Sequence, residues 1–544
     1  MEREVERGCG CNPCRRADRW AGAKEVSVVR NMRSGFTRST IAPRPPRILG
    51  TESRFLSSSG PTFQVRSKFD SIRLTMKDSA PRRIWPFVLL AIPILVLYLY
   101  TSVEIVPDAT RARPVGNAED IAALSERSDT NILFILVDTL RAERMSSYGY
   151  DRETTPFLDN LAQTGIRFDR HISQSSWTKS SMASMWSSLV PLRAGVTTAE
   201  DTLSSRIDMP AEILSEAGFK TVGLYRNGWV EGYFGFDQGF ERYRRPFGGS
   251  RLTEASQLRP NAKSFGTDQN LVDDAIEFLR IHGKTSRWFL YLHFMDLHEY
   301  TYDEESAVFG NAVPDIYDNS ILRTDWMIST LYDYLAKSDL LSDTVVVLLS
   351  DHGEAFGERG FEGHARNVLP ETTETPLIIS LPFRLESELV VLPPTMNVDV
   401  WPTLFDLLGL PGQGEIDGVS RREEILSVAR GTGARSPREN DYSIAFLDEA
   451  WGRVGTPRKP AISVIDGEHR YVSGSGLAGR PFELLLSTED HQRRDRLAEQ
   501  PELAERLRAV AKRQLKAEAA FEAETIELDE MQLDQLRALG YDLP

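Results

Sequence analysis

Four polar residues from three separate parts of the chain form a set that can hold a divalent cation. Asp138 follows the apolar run 131–137, Thr178 lies in a serine-rich segment, and Asp351 and His352 follow the apolar run 344–349. Two carboxylates, one imidazole and one hydroxyl suit Zn or Mn, and Ca and Mg also remain candidates. A free threonine hydroxyl is a weak nucleophile, and one bound divalent metal would activate it against a phosphate- or sulfate-type ester.

Taken singly, each of these residues also fits an ordinary structural role. Asp138 suits a helix cap, Thr178 a turn hydroxyl, and Asp351 with His352 a turn after a strand. The set favours a site because Asp138, Asp296 and Asp351 each come at the end of a predicted strand. Functional groups collect at the carboxyl ends of strands in parallel sheets.

Strand-like and helix-like segments alternate between residues 131 and 412. The strands are predicted at 131–137, 219–225, 288–294, 344–349 and 377–381, and the helices at 155–164, 180–188, 209–217, 268–281, 318–338 and 399–408. This alternation predicts an α/β fold with a mostly parallel sheet flanked by helices on both faces.

The pattern loosens after residue 413. Residues 413–495 suggest a smaller α+β subdomain, with a hairpin that turns at Asp466 and Gly467. Residues 496–544 are charged and predict a helical tail.

Residues 84–103 carry no charge over 20 positions and predict one N-terminal transmembrane helix. Arg82 and Arg83 precede the run, so the positive-inside rule places everything after residue 103 outside the cytoplasm, in the periplasm or the extracellular space. A cleaved signal peptide is the alternative, although the run is long for one and no clear cleavage site follows it.

The segments beside this anchor are polar. Residues 1–83 predict a disordered basic region, although Met76 is an alternative start, and residues 104–130 predict a linker. The chain carries a net charge of −15, and its body lacks the clustered Lys/Arg face of a nucleic-acid-binding protein. The three cysteines all lie within the first 14 residues, so the body cannot use a cysteine nucleophile.

Several motifs resemble those of the sulfatase family of the alkaline phosphatase superfamily. The resemblance covers residues 131–410, with weaker echoes to the end of the chain, and the segments that carry it include 131–144 (NILFILVDTLRAER), 154–159 (TTPFLD), 291–298 (YLHFMDLH), 350–354 (SDHGE) and 398–404 (VDVWPTL). It implies an alkaline-phosphatase-like fold and a metal-dependent ester hydrolase.

The resemblance also implies roles for individual residues. Asp138, Asp351 and His352 would be metal ligands, and Thr178 would be the nucleophile that also binds the metal. His298 and His364 would contact the anionic group of the substrate, with His298 also orienting the ester or protonating the leaving group. Lys179 is a further candidate for pairing with the substrate anion, and an ordinary exposed lysine is the alternative.

Two departures from the family pattern modify this expectation. Sulfatases carry Cys-x-Pro-Ser-Arg or a serine version, whose first residue becomes an aldehyde, whereas this chain has Thr178-Lys-Ser-Ser-Met182. Threonine cannot become that aldehyde, which favours phospho- or phosphonoesters over sulfate. Thr139 stands where many sulfatases have another aspartate, which favours one metal, although Asp296, His298 and His364 form a second candidate ion site.

The expected function is therefore a membrane-anchored hydrolase with Thr178 as its metal-activated nucleophile. The anchor suggests an anionic ester of the envelope as substrate, for example a lipid headgroup or a surface glycan. A phospho-headgroup transferase and a non-catalytic sulfatase-like binding or scaffold protein are the alternatives.

Overall fold

The computed structural model describes residues 113–247, 267–433, 442–452, 456–476, 479–490, 492–522 and 524–537. The predicted basic region 1–83, the anchor 84–103 and the first part of the linker lie outside these ranges. Within them, no helix combines the length and hydrophobicity that crossing a bilayer requires.

An eight-stranded mixed sheet forms the centre of the fold. Its strands lie in the order β13-β2-β12-β8-β1-β7-β5-β6. Their bounds are β1 Asn131–Val137, β2 Ile166–Phe168, β5 Lys220–Tyr225, β6 Arg242–Arg244, β7 Trp288–Phe294, β8 Thr344–Leu349, β12 Leu377–Ser380 and β13 Leu389–Val391. All neighbouring pairs are parallel except those of β12, which runs antiparallel to β8 and β2. The predicted α/β fold with a mostly parallel sheet is confirmed.

Helices cover both faces of this sheet. The helices of the described ranges are α1 Ala118–Ala123, α2 Pro156–Gln163, α3 Thr178–Ser187, α4 Pro191–Ala194, α5 Pro210–Glu216, α6 Asp268–His282, α7 Val313–Lys337, α8 Pro370–Thr373, α9 Val400–Leu408, α10 Arg422–Ala429, α11 Pro501–Gln514 and α12 Glu530–Arg537. Alternate residues of β1 enter two cores: Phe134 packs with Trp186 of α3 and Trp401 of α9, whereas Leu133 packs with residues of α6 and α7. Burial on both faces explains why the central strands are continuous apolar runs.

A second, four-stranded antiparallel sheet follows the central one. It contains β15 Ser443–Asp448, β16 Pro460–Ile465, β17 His469–Ser475 and β18 Pro481–Ser487. The predicted hairpin is confirmed between β16 and β17, where Gly467 has a φ of +98° and the Asp466 amide donates to the His469 carbonyl at 3.0 Å.

The remaining strands are short. They are β3 His171–Ile172, β4 Asp201–Thr202, β9 Ala355–Phe356, β10 Glu362–Gly363, β11 Glu374–Thr375, β14 Thr395–Met396 and β19 Glu524–Thr525. Part of the predicted linker belongs to the folded body, since Ile121 of α1 and Leu124 are buried in the core. The predicted helical tail contains two helices, α11 and α12, with β19 between them and paired to β4.

Asp325 of α7 supports the start of α2. This aspartate is fully buried, and its two carboxylate oxygens accept hydrogen bonds from the backbone amides of Phe157 and Leu158 at 3.0 and 2.9 Å. The first amides of a helix have no partner within the helix, so this side chain replaces the missing acceptors.

We predict that Asp325→Ala lowers the free energy of unfolding by about 2–4 kcal/mol, because two helix-terminal amides lose their acceptors. Denaturant unfolding followed by circular dichroism measures the loss. Asp333→Ala on the same helix is the matched control, since the carboxylate of Asp333 makes a 4.0 Å contact with Lys337 and caps no helix among the described residues. Equal stability of the two variants would contradict the capping role.

Candidate active site

The predicted site residues converge at the carboxyl edge of the central sheet. Strands β1 and β8 are parallel neighbours with Leu136 opposite Leu349, and extending this register by two residues places Asp138 opposite Asp351. Thr178 is the first residue of α3 and reaches the same place. Its Oγ1 lies 3.1 Å from the Nε2 atom of His352.

Each of the two carboxylates has one oxygen saturated by protein donors and one oxygen without a hydrogen-bond partner. The Oδ2 atom of Asp138 accepts from Asn227 Nδ2 at 2.6 Å, and Asp351 Oδ1 accepts from the backbone amides of Thr139 and His352. The buried atoms Asp138 Oδ1 and Asp351 Oδ2 have no hydrogen-bond partner among the described residues. They lie 3.9 and 3.3 Å from His352 Nε2.

The Nε2 atom of His352 faces the two carboxylates and the hydroxyl of Thr178. Its Nδ1 lies 3.0 Å from the carbonyl oxygen of Gly353. A carbonyl can only accept, so Nδ1 carries the proton and Nε2 of the neutral ring is a free donor atom for a metal.

Electrostatics also favours a cation at this position. The pKa of Asp351 is raised, first by burial and then by the neighbouring charge of Asp138. Two buried carboxylates that repel one another are stabilised in their ionised forms by a divalent ion.

The donor set therefore fits one divalent metal ion. The set consists of two carboxylate oxygens, one imidazole nitrogen and one hydroxyl oxygen that lie close together. No donor among the described residues forms a hydrogen bond with the two carboxylate oxygens. Thr139 has no carboxylate to offer a metal, and it supports the site through its backbone amide. It has a φ of +64°, which is rare for a β-branched residue, and this conformation directs its amide to Asp351 at 3.3 Å.

The structure adds two residues that the sequence prediction missed. The Nε2 atom of His293 on β7 lies 3.1 Å from Asp138 Oδ2. One ring nitrogen of His293 and one carboxylate oxygen each of Asp138 and Asp351 lie within 4.8 Å of one another. Asn227, two residues after β5, donates to Asp138 and also lies 3.3 Å from Thr178 Oγ1. The available signals were a histidine within an otherwise apolar strand and a polar residue just past another strand end.

Asp296 does not join the cluster, although it also follows a strand. It is buried and forms an ion pair with Arg226, which also bonds Asp268 at 2.8 Å and Glu299 at 2.8 Å. The guanidinium of Arg323 lies 3.7 Å from its second oxygen. The position of Asp296 is thus explained by an ion-pair network, and this argues against the second ion site considered from the sequence.

His298 and His364 lie beside the cluster. The ring centroid of His364 is 4.6 Å from that of His352 and 4.9 Å from that of His298. His364 Nδ1 lies 3.1 Å from Glu354 Oε2, whereas the buried Nε2 of His298 has no hydrogen-bond partner among the described residues. The three rings of His298, His364 and His352 thus form a row beside the carboxylate cluster.

Lys179 extends away from the cluster. Its ammonium donates to the carbonyl of Ala199 at 2.7 Å and lies 3.5 Å from the ring centroid of Phe234. The side chain is fully buried, and burial lowers its pKa well below the ordinary value despite the opposing effects of Asp201 and Glu200. The structure thus gives Lys179 contacts within the protein rather than the predicted position facing the substrate.

A buried hydrogen-bond network fixes α3 to the loop after β8. Ser181 Oγ donates to the carbonyl of Asp351 at 2.6 Å and receives the amide of Asn397 at 3.3 Å. His171 Nε2 lies 2.7 Å from Asn397 Oδ1. Burial lowers the pKa of His171 to about 3, so the ring is neutral and its Nε2 proton goes to Asn397.

Comparisons with known proteins agree with this geometry. The family model described as Sulfatase matches residues 130–410, slightly more than half of the 544 residues. Choline-sulfatase of Rhizobium meliloti (strain 1021) is 25% identical over 428 residues, which cover 63% of this chain and 78% of that protein. Mouse (Mus musculus) steryl-sulfatase is 29% identical over 188 residues, which cover 32% of this chain and only 29% of the relative.

Solved structures share the fold. The phosphonate monoester hydrolase of Agrobacterium radiobacter aligns with a TM-score of 0.54 and 18% identity, over 71% of this chain and 95% of its own. The alkaline-phosphatase-like fold predicted from the sequence is confirmed.

We predict that Asp351→Asn weakens binding of Mn²⁺ or Zn²⁺ by more than the roughly 10- to 100-fold that loss of an outer-shell partner costs. Equilibrium dialysis with metal analysis measures the affinity. Asp296→Asn is the matched control, because Asp296 is another buried strand-end aspartate, and this variant should retain wild-type affinity. Unchanged binding in Asp351→Asn would exclude the assigned metal site.

Proposed function

The chain belongs to the sulfatase family, and we propose that it is a metal-dependent hydrolase of sulfate- or phosphate-type esters with Thr178 as its nucleophile. One observation carries this proposal. The hydroxyl of Thr178 lies 3.1 Å from the Nε2 atom of His352, beside two buried carboxylate oxygens that have no hydrogen-bond partner among the described residues.

The position of Thr178 at a helix start supports a nucleophilic role. Helix α3 has ten residues, and Trp177 before it supplies no side-chain cap. The first backbone amides of a helix and the positive end of its dipole favour negative charge. The same helix end would therefore stabilise an ionised Thr178 and an incoming sulfate or phosphate oxygen.

Asp138, Thr178, Asp351 and His352 would hold the metal. A divalent ion bound there would favour loss of the threonine hydroxyl proton to solvent and would offset charge on the ester. The Oγ1 atom of Thr178 would attack sulfur or phosphorus, and the bond to the leaving alcohol would break. His298 donates a proton to the departing alkoxide or orients the ester, which leaves the sulfo or phospho group on Thr178.

The second step differs from that of an aldehyde-based sulfatase. A threonine ester cannot expel sulfate by elimination, so water must attack sulfur or phosphorus and return Thr178 to its free form. We therefore favour phospho- or phosphonoesters over sulfate, as in the phosphonate monoester hydrolase that shares the fold. The names of the curated relatives point instead to sulfate esters, and the substrate test must include both.

The biological substrate and location rest on the sequence alone. The apolar run 84–103 favours a single-pass membrane anchor with the catalytic domain outside the cytoplasm, and this supports an anionic envelope ester such as a lipid headgroup or surface glycan.

We predict that the wild type releases p-nitrophenol from at least one of its phosphate monoester, phosphate diester, phosphonate monoester and sulfate esters, with Mn, Zn, Ca or Mg added. Thr178→Ala should lower kcat by at least about 10³-fold, since the nucleophile is lost.

Ser184→Ala is the matched control for this experiment. Ser184 lies on the same helix, and its buried hydroxyl has no hydrogen-bond partner among the described residues, so its loss should leave turnover close to wild type. Undiminished metal-dependent turnover in Thr178→Ala would overturn the assigned nucleophile. Absence of turnover on all four esters, with metal bound, would contradict the hydrolase assignment for these ester classes.

A further inference from the structure

A column of polar side chains extends from the site into the aromatic core. Tyr291 and His293 lie two residues apart on β7 and therefore point to the same face of the sheet. Tyr291 OH lies 2.7 Å from His293 Nδ1, and His293 Nε2 lies 3.1 Å from Asp138 Oδ2. Tyr291 and His293 are fully buried.

The acceptor at the end of this column fixes the direction of its protons. The Oδ2 atom of Asp138 is a carboxylate oxygen that also accepts the Asn227 amide, so the Nε2 atom of His293 is the donor in their 3.1 Å contact. On the other side of the ring, Nδ1 lies 2.7 Å from the hydroxyl of Tyr291, which can donate to it. The protons run from Tyr291 to His293 to Asp138, and Asn227 donates to the same Oδ2 at 2.6 Å.

This direction determines which oxygen of Asp138 remains available. Oδ2 receives two donors, whereas the buried Oδ1 has no hydrogen-bond partner among the described residues. The Nε2 atom of His293 contacts Oδ2, the oxygen that faces protein donors, and not the Oδ1 atom that is left for a metal.

We propose that Tyr291 and His293 are positioning residues that hold Asp138 with Oδ1 toward the metal, and that His293 is not a metal ligand. This inference rests on the metal site of the proposed function. Outer-shell hydrogen bonds of this kind orient a ligand and adjust its affinity for the metal.

The surroundings of Tyr291 make a purely apolar residue the expected choice at this position. Its ring packs against Trp186 with centroids 5.0 Å apart and against Phe134 at 6.2 Å. Burying a hydroxyl costs free energy of desolvation, which phenylalanine would avoid. The presence of tyrosine therefore indicates that its hydrogen bond has a role. Its hydroxyl lies 2.7 Å from His293, whose other ring nitrogen contacts Asp138.

The test measures metal binding in the absence of substrate. We expect Tyr291→Phe and His293→Gln each to weaken Co²⁺ and Mn²⁺ binding by roughly 10- to 100-fold with unchanged stoichiometry. The double variant should bind about as weakly as His293→Gln alone, because Tyr291 acts only through His293.

The visible absorption of the Co²⁺ form distinguishes positioning from ligation. Loss of a coordinating nitrogen shifts these bands, so the saturated His293→Gln protein should show the wild-type spectrum. Tyr225→Phe is the matched control, since Tyr225 is the buried tyrosine opposite His293 on β5 and its hydroxyl bonds Glu231. This variant should keep wild-type metal affinity.

Three results would overturn the inference. Wild-type metal affinity in Tyr291→Phe would show that the hydroxyl has no positioning role. A changed Co²⁺ spectrum in His293→Gln would show that His293 is a ligand. Additive losses in the double variant would show that Tyr291 does not act through His293. A wild type that binds no metal would refute the metal site itself, whereas metal binding without turnover would refute only the proposed reaction.

Discussion

The burial of two neighbouring carboxylates, Asp138 and Asp351, is the constraint on which the rest of the site depends. Charges removed from water are costly unless they are paired or bind a metal, and these two also repel each other. The protein saturates one oxygen of each with donors from Asn227, His293 and backbone amides. The two remaining oxygens lie 3.9 and 3.3 Å from His352 Nε2, where one divalent cation would satisfy both.

The same constraint requires a rigid support. A nucleophile that must meet a small ion cannot be held by a mobile loop, since small displacements lose the benefit of orientation. Thr178 begins a buried helix whose Ser181 donates a hydrogen bond to the carbonyl of Asp351. The side-chain amide of Asn397 donates to Ser181 and is itself bonded to His171. The helix that begins at Thr178 and the loop that carries Asp351 are thus joined by a direct hydrogen bond, independently of any bound ion.

Sequence patterns predicted most of the framework because burial on both faces leaves long apolar runs. Strands β1, β7 and β8 occur where predicted, and the strand-end residues Asp138, Asp351 and His352 meet as expected. The patterns could not separate Asp296 from this group, because its ion pair with Arg226 joins positions 70 residues apart. The sequence did not identify His293 because its contact with Asp138 joins two strands that are far apart in the chain. A histidine within an apolar strand does not by itself show which neighbouring strand it contacts.

If Thr178 is the nucleophile, it carries the transferred sulfo or phospho group during each turnover, and a rapid acid quench can trap this intermediate. The protein is mixed with the best p-nitrophenyl ester and its metal, quenched within the first turnover, digested and analysed by mass spectrometry. We expect one sulfo or phospho group on the peptide containing Thr178, with wild-type turnover under the same conditions. A modified residue elsewhere, or steady turnover that never labels Thr178 while a burst of p-nitrophenol is released, would contradict it.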